Sequence, residues 1–280
     1  MASVILLLVF VTDIFPFWRA VQAHRRMTLI SSILWGFVAL MAWTVEVSME
    51  ALWPGIESTL PGYLALSMTG CASMTVLGAR RPGAGAWNFV ILGLLAVMLF
   101  LWLEGQLAED DLILHRVRTV FLASTVAIGV LNYLPTRLAP ASVLLALGCA
   151  GELLIISGSE SLQSALAPAR NFSRLMVGLV PWLAYARLRW QPLPALEFDQ
   201  VWLRFRNSYG LVWAQRLREQ FNQSAKHSNW HAILRWQGLR VIPAERRPPS
   251  YEDRQEMLDN LRALMKRFEP LEKTKENSHG

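Results

Sequence analysis

The chain of 280 residues is 53% hydrophobic and only 17% charged, with a formal net charge of +6 and 12 Trp against 5 Tyr. A soluble domain carries about a quarter charged residues, so the composition argues against an ordinary soluble protein. Residues 1–186 hold 10 Arg, no Lys and 10 acidic residues, whereas residues 187–280 hold 17 basic and 11 acidic ones; the net charge belongs to the last third, which implies two zones in different solvents.

Continuous apolar runs occur at about 2–18, 29–48, 61–79, 87–104, 118–135, 140–157 and 172–188. A helix needs about 17–25 mostly apolar residues to cross the hydrocarbon layer. Only helices and closed barrels satisfy their backbone there, and the runs lack the alternation of a barrel. The first run, "ASVILLLVF" onward, resembles the core of a signal peptide, but no positive segment precedes it and Arg19, Arg25 and Arg26 follow it. It reads as an uncleaved first span. Cys71 and Cys149 lie inside apolar runs and suggest helix packing, not a disulfide or metal site.

Threading seven spans from an outside N-terminus places Arg19, Arg25, Arg26, Arg80, Arg81 and Arg137 in the inner connections, with no acidic residue. The outer connections take Glu46, Glu50, Glu57, Glu104, Glu109, Asp110, Asp111 and Glu160, along with Arg116, Arg118, Arg170 and Arg174. The positive-inside bias then sets N-out and C-in, with the basic tail in the cytosol. The last run, 172–188, contains Pro181 and begins beside Arg174. If it lies on the surface there are six spans, and charge and parity conflict.

"ARRPGAGAWN" (79–88) pairs arginines with glycines but has neither a phosphate-loop pattern nor a strand–loop–helix setting. It reads as the cytosolic turn between the third and fourth spans, with Trp87 as an interface anchor. Ser67, Cys71, Thr75 and Ala79 recur every four residues, as do Ser142, Ala146 and Ala150 beside Gly148 and Gly151. Small residues at this spacing let helices approach closely inside the bundle or between subunits.

Asp13 and Glu152 are the acids inside spans, and Asn132 adds a polar group on the fifth. Intramembrane ionisable groups are functional candidates because a charge there costs at least about 2.5–3.5 kcal/mol. Both acids lie roughly 7 Å from a span end at about 1.5 Å per residue. The first lysine is Lys226, which excludes a Schiff-base lysine in any span. His24, His115, His227, His231 and His279 fall in connections or tail, which excludes bis-histidine haem and an intramembrane Ser–His protease despite Ser157-Gly158-Ser159. No HExxH is present, and His227 and His231 lack a third ligand nearby, so neither a metal nor a cofactor is implied.

The tail, 189–270, reads as basic amphipathic helix, beginning "EFDQVWLRFRNSYGLVWAQRLREQF" with a kink at Gly210. "NWHAILRWQGL" reads as a second short amphipathic piece. Ser250 and Asp253 form a capping box before an apolar stripe of Leu258, Leu261, Met265 and Phe268. The pattern suits a small helical cap docked under the bundle, with Trp202, Trp213, Arg204, Arg206, Arg216 and Arg218 offering a surface for anionic lipid or a cytosolic protein. Interleaved acids and the lack of a recognition motif argue against nucleic acid. Residues 271–280 read as disordered.

At "GARRPGAGAWNFVILGLLAV", "VWLRFRNSYGLVWAQRLREQFN" and "LRWQGLR" the chain resembles uncharacterised multi-pass membrane proteins of planctomycete-type bacteria. The resemblance implies the inner membrane and carries no activity, so it assigns no catalytic or binding residue. The expected fold is all-α: a polytopic transmembrane bundle over 1–188 with a helical tail. The expected function is a non-enzymatic scaffold or accessory subunit. A small transporter using Glu152 is one alternative. An enzyme on lipid-linked substrates, with Glu109, Asp110 and Asp111 as acid–base or metal groups, is another.

Overall fold

The computed structural model describes residues 2–24, 27–53, 60–80, 84–107, 112–157, 160–190, 194, 196–242 and 250–268. The first apolar run forms α1 (Ala2–Thr12) and α2 (Ile14–His24), joined at Asp13. The Asp13 amide donates to Val9 O and the Phe17 amide to Asp13 O, both at 3.2 Å, so the backbone ladder continues across the junction. The helix therefore does not stop at residue 18, because Arg19 is accommodated on it and the rod runs on to His24.

Next come α3 (Ile30–Leu52), α4 (Leu60–Thr75), α5 (Ala84–Leu107), α6 (Leu112–Tyr133), α7 (Ala139–Ser157) and α8 (Glu160–Arg189). Among the described residues, five stretches are long and apolar enough to cross a membrane: Ala2–His24, Ile30–Leu52, Leu60–Gly78, Ala86–Gly105 and Ala139–Ser157. The more polar α6 and α8 pack along the same bundle, α6 against α4 and α7, and α8 against α7 and α1. The run 172–188 is thus the second half of a 30-residue helix.

α4 lies at the centre and touches α3, α5, α6 and α7. Its small residues Ser67, Cys71, Thr75 and the following Ala79 are all buried, as internal packing requires. On α7 the close-packed face is Ser142, Gly148 and Cys149, while Ala150 is exposed. A Cβ on Gly148 would stand 2.8 Å from Ser173 O, and one on Gly151 would overlap Ser173 Oγ. These two glycines bring α7 and α8 into backbone contact. Trp87 is not a free interface anchor: its ring covers Gly78 and its Nε1 donates to Met74 O at 3.3 Å, closing the turn from α4 to α5. Phe89, Phe100, Leu8 and Leu154 are exposed, an apolar exterior compatible with a membrane.

Beyond the bundle, α9 (Glu197–His227), β1 (Ala232–Arg235), β2 (Gly238–Val241) and α10 (Tyr251–Met265) form a cap. The capping box at Ser250 and Asp253 is present in both directions. The segment read as a second short amphipathic piece of the helical tail is instead an antiparallel hairpin, with Leu234 opposite Leu239. Ala232 and Leu234 face inward and Ile233 and Arg235 outward, a period of two over four residues. Asn222 holds the hairpin on α9: its Oδ1 accepts from Leu234 N at 2.7 Å and its Nδ2 donates to Leu234 O at 3.1 Å. Phe205, Tyr209, Trp213 and Phe268 pack ring to ring at 4.6–5.4 Å in the cap core.

Leu29, Val76 and Ala79 from the bundle share that core. The cap is also pinned by hydrogen bonds from Trp213 Nε1 to Val76 O (2.8 Å), Tyr133 Oη to Ser208 O (3.0 Å) and Trp236 Nε1 to Pro135 O (2.7 Å). Thr28 Oγ donates to Ala79 O at 2.5 Å, and the Thr28 amide donates to Phe268 O at 3.2 Å. The start of α3, the end of α4 and the end of α6 thus meet the cap together.

Candidate functional site

At the bundle end away from the cap, α3, α7 and α8 bring charged side chains together. α3 carries Glu46 and Glu50 four residues apart, and α8 carries Arg170 and Arg174 at the same spacing, which places each pair on one helix face. Glu46 Oε1 pairs with Arg174 Nη2 at 2.5 Å and with Arg170 Nη2 at 3.3 Å. Glu152 of α7 sits between the guanidinium groups, 3.6 Å from Arg174 Nε and 3.5 Å from Arg170 Nε. Arg174 also bonds Glu50, whose side chain is 41% exposed, while Glu152 is fully buried.

Three carboxylates face two guanidinium groups. Gly62, in the first turn of α4, closes the cluster: a Cβ there would lie 3.1 Å from Glu46 Oε1 and 3.3 Å from Arg170 Nη2. The positive end of α4 therefore faces the excess negative charge. Chemically the cluster is a latch between helices, because buried charges are tolerated in apolar surroundings only when paired. Glu152, the sequence candidate, is one member. The charge pattern assigns Glu46, Glu50, Arg170 and Arg174 to outer connections, yet all four lie on α3 and α8, Glu50 and Arg170 where these helices extend beyond the apolar runs.

Asp13 is a different case. With the helix continuing to His24 it stands at the midpoint of Ala2–His24, about 16 Å from either end, not near the inner end. It is fully buried, and neither carboxyl oxygen has a hydrogen-bond partner among the described residues.

Asn132 belongs to neither group. Its Oδ1 accepts from Val212 N at 3.0 Å and its Nδ2 donates to Tyr209 O at 3.4 Å, so it serves the break in α9 and not a path through the bundle. The break itself is Gly210, at φ 75°.

A cavity of about 340 Å³ lies inside the bundle towards the cap, walled by residues such as Leu29, Gly36, Leu40, Ala72, Val130 and Leu145. Ser32, Thr69, Ser142, Asn207 and Ser208 are among its polar points, with His24, Ser73 and Tyr133. It ends at Trp43 and Val177, three residues along α3 and α8 from Glu46 and Arg174. The ionic latch therefore closes the bundle about one turn beyond the end of the cavity.

The cap surface differs from the expectation. Trp202 and Trp213 are buried, because their apolar faces fill the cap core and the joint with α4. Arg206 is buried as well, donating to Trp236 O at 2.7 Å and lying 5.3 Å from that ring. Burial, and then the charge of Arg137, pushes Arg206 down to about 10, so it remains cationic at neutral pH. Arg204 and Arg216 are exposed and Arg218 is half-buried, and these three remain as surface residues. His227 ends α9 while His231 precedes β1, so the pair does not share a helix. Glu109, Asp110 and Asp111 lie outside the described residues, as do 271–280.

No protein family, no curated protein and no solved structure matches this chain.

Proposed function

We propose that the chain is a seven-span inner-membrane protein, N-terminus outside and cap in the cytosol, that acts as a non-enzymatic scaffold or accessory subunit. The observation that carries this reading is the rigid joint between bundle and cap. Thr28, Val76, Tyr133 and Pro135 hold the cap on the bundle end by hydrogen bonds, and both share one core. The cap is thus a fixed platform and not a tethered arm, and it holds Arg204 and Arg216 at a constant height above the bundle. The inner connections of the bundle lie on this side, which the positive-inside bias assigns to the cytosol.

The test is photocrosslinking in cells from positions 204 and 216. A discrete protein adduct that Arg204→Glu with Arg216→Glu removes, with membrane insertion unchanged, is the expected result. A smear of unspecific adducts that ignores the charge reversal refutes the scaffold.

A second reading, a small transporter, has its own support. The bundle cavity reaches the cap, where Asn207 and Ser208 line it, and ends one turn short of the ionic latch, an arrangement suited to a compartment with one closed gate. Glu152 would then be a gate residue and not a carrier of the substrate. Accessibility of a cysteine placed at Gly62 to an impermeant reagent distinguishes the two: a static scaffold shows one constant rate, a transporter two interconverting ones.

A further inference from the structure

α2 and α8 run side by side towards the cap, joined by Phe15 stacked on Trp182 at 5.9 Å and edge-on to Tyr185 at 5.7 Å. Beyond these rings their facing residues become small, with Ala20 and Ala23 on one wall and Ala184 on the other. The result is a trough of about 610 Å³, within the size range of pockets that hold small ligands. Phe17, Ala20, His24, Val180, Pro181 and Leu188 line both this trough and the cavity inside the bundle, so the two adjoin between α2 and α8. The trough opens sideways between helices whose neighbouring side chains Phe15, Trp18 and Leu188 are themselves exposed. In a bilayer that opening faces hydrocarbon, and an occupant enters from the lipid.

The walls change character at the cap end. Arg19 and Arg189 line the trough there, and neither forms an ion pair among the described residues. Both α2 and α8 end in this region, and each helix end carries about half a negative charge, which two full positive charges outweigh. Inside, Ser32 lines the cavity with a buried hydroxyl that has no hydrogen-bond partner. A ligand matching this gradient has a long apolar part, an acceptor near its neck and an anionic head. A water-soluble anion lacks the first, and a neutral lipid the last.

We propose that the α2–α8 trough binds an anionic phospholipid of the cap-side leaflet. One acyl chain runs into the bundle cavity, and the phosphate sits between Arg19 and Arg189. The proposal rests on the membrane-embedded reading of α2 and α8, and it is independent of whether the protein is a scaffold or a transporter.

The test is native mass spectrometry of the full chain, titrated with phosphatidylglycerol and with phosphatidylcholine of the same acyl composition. One tightly held phosphatidylglycerol, preferred by about tenfold, is expected. Arg19→Gln with Arg189→Gln should remove the preference and leave weak binding of both lipids, while Ala184→Trp should fill the trough and remove both. Arg235→Gln with Arg254→Gln, exposed on the cap surface, should leave the lipid preference unchanged. Equal binding of the two lipids, or a preference that survives the double Arg19 and Arg189 variant, overturns the site. Alkaline carbonate extraction of membranes serves as a separate check: a chain released by carbonate refutes the embedded reading itself, whereas a retained chain without lipid preference refutes only the trough.

Discussion

The side-chain amide of Asn132, on the last turn of α6, occupies the space that a Cβ on Gly210 would fill. Gly210 has φ 75° and ψ −166°, a conformation that L side chains rarely adopt, and it interrupts the ladder of α9. The interruption frees Tyr209 O and Val212 N, and Asn132 binds both. The kink and its partner therefore specify each other, and they orient the cap on the bundle. Gly210→Ala is expected to lose about 1–3 kcal/mol from strain alone, before the clash with Asn132 is counted. Asn132→Ala is expected to lose a similar amount, about 1–3 kcal/mol, by leaving buried backbone groups unpaired. The pair should be clearly non-additive, since each change disables the same joint. Thermal unfolding of the purified chain in detergent, followed by Trp fluorescence, reads all three variants.

The ionic latch responds asymmetrically to mutation. Arg174→Met leaves Glu46 and Glu152 buried beside only the half-exposed Arg170, and removal of one partner from a buried pair costs about 3–5 kcal/mol. Adding Glu46→Gln and Glu152→Gln to Arg174→Met removes the uncompensated charges and should restore most of that loss. A triple variant no more stable than Arg174→Met would show that geometry, and not charge, holds the three helices together.

What was legible in the sequence depended on how far apart the cooperating residues lie. Ser250 and Asp253 are three residues apart, and their capping box could be read directly. Glu46/Glu50 and Arg170/Arg174 also stand in the sequence at i,i+4 spacing, but the charge pattern alone reads them only as residues of outer connections. Charge near the margin of an apolar run reads as connection, however, so Glu46 and Arg174 join Glu50 and Arg170 in the outer loops, although α3 runs to Leu52 and α8 begins at Glu160. Trp202 and Trp213 show another limit: helical spacing reveals that a face is apolar but not whether lipid or another part of the chain covers it. The hairpin was missed because four residues per strand, Ala232–Arg235 and Gly238–Val241, are too few for alternation to stand out from a helical pattern.

Gly151 is a sharper test of the α7–α8 contact than any polar residue. Its missing side chain accommodates Ser173, itself buried and bonded back to Ala169 O at 3.3 Å. Gly151→Val must push α8 away from α7 and is expected to destabilise by about 1–3 kcal/mol, the usual cost of overpacking. The same displacement pulls Arg174 from Glu152, one residue along α7. The combination of Gly151→Val with Ser173→Ala should therefore recover part of the loss, and unfolding of single and double variants in parallel measures it.

Among the described residues, no neighbour offers the buried Asp13 carboxyl group a hydrogen bond. A carboxyl group buried at the middle of an apolar helix without a hydrogen bond among the described residues is costly, and a structural role would leave some contact to show for it. Replacing a buried, unsatisfied polar group with an apolar one of similar size is neutral or stabilising. Asp13→Leu is accordingly expected to keep or raise the unfolding temperature, and Asp13→Asn to leave it close to the parent. Because α1 packs on α3 and α8 at this level, a gain should come without change in the lipid preference of the α2–α8 trough. A marked fall with Leu but not with Asn would instead identify a polar partner for Asp13, a bound water or ion included, and would move the centre of the functional site from the latch to the middle of the first helix.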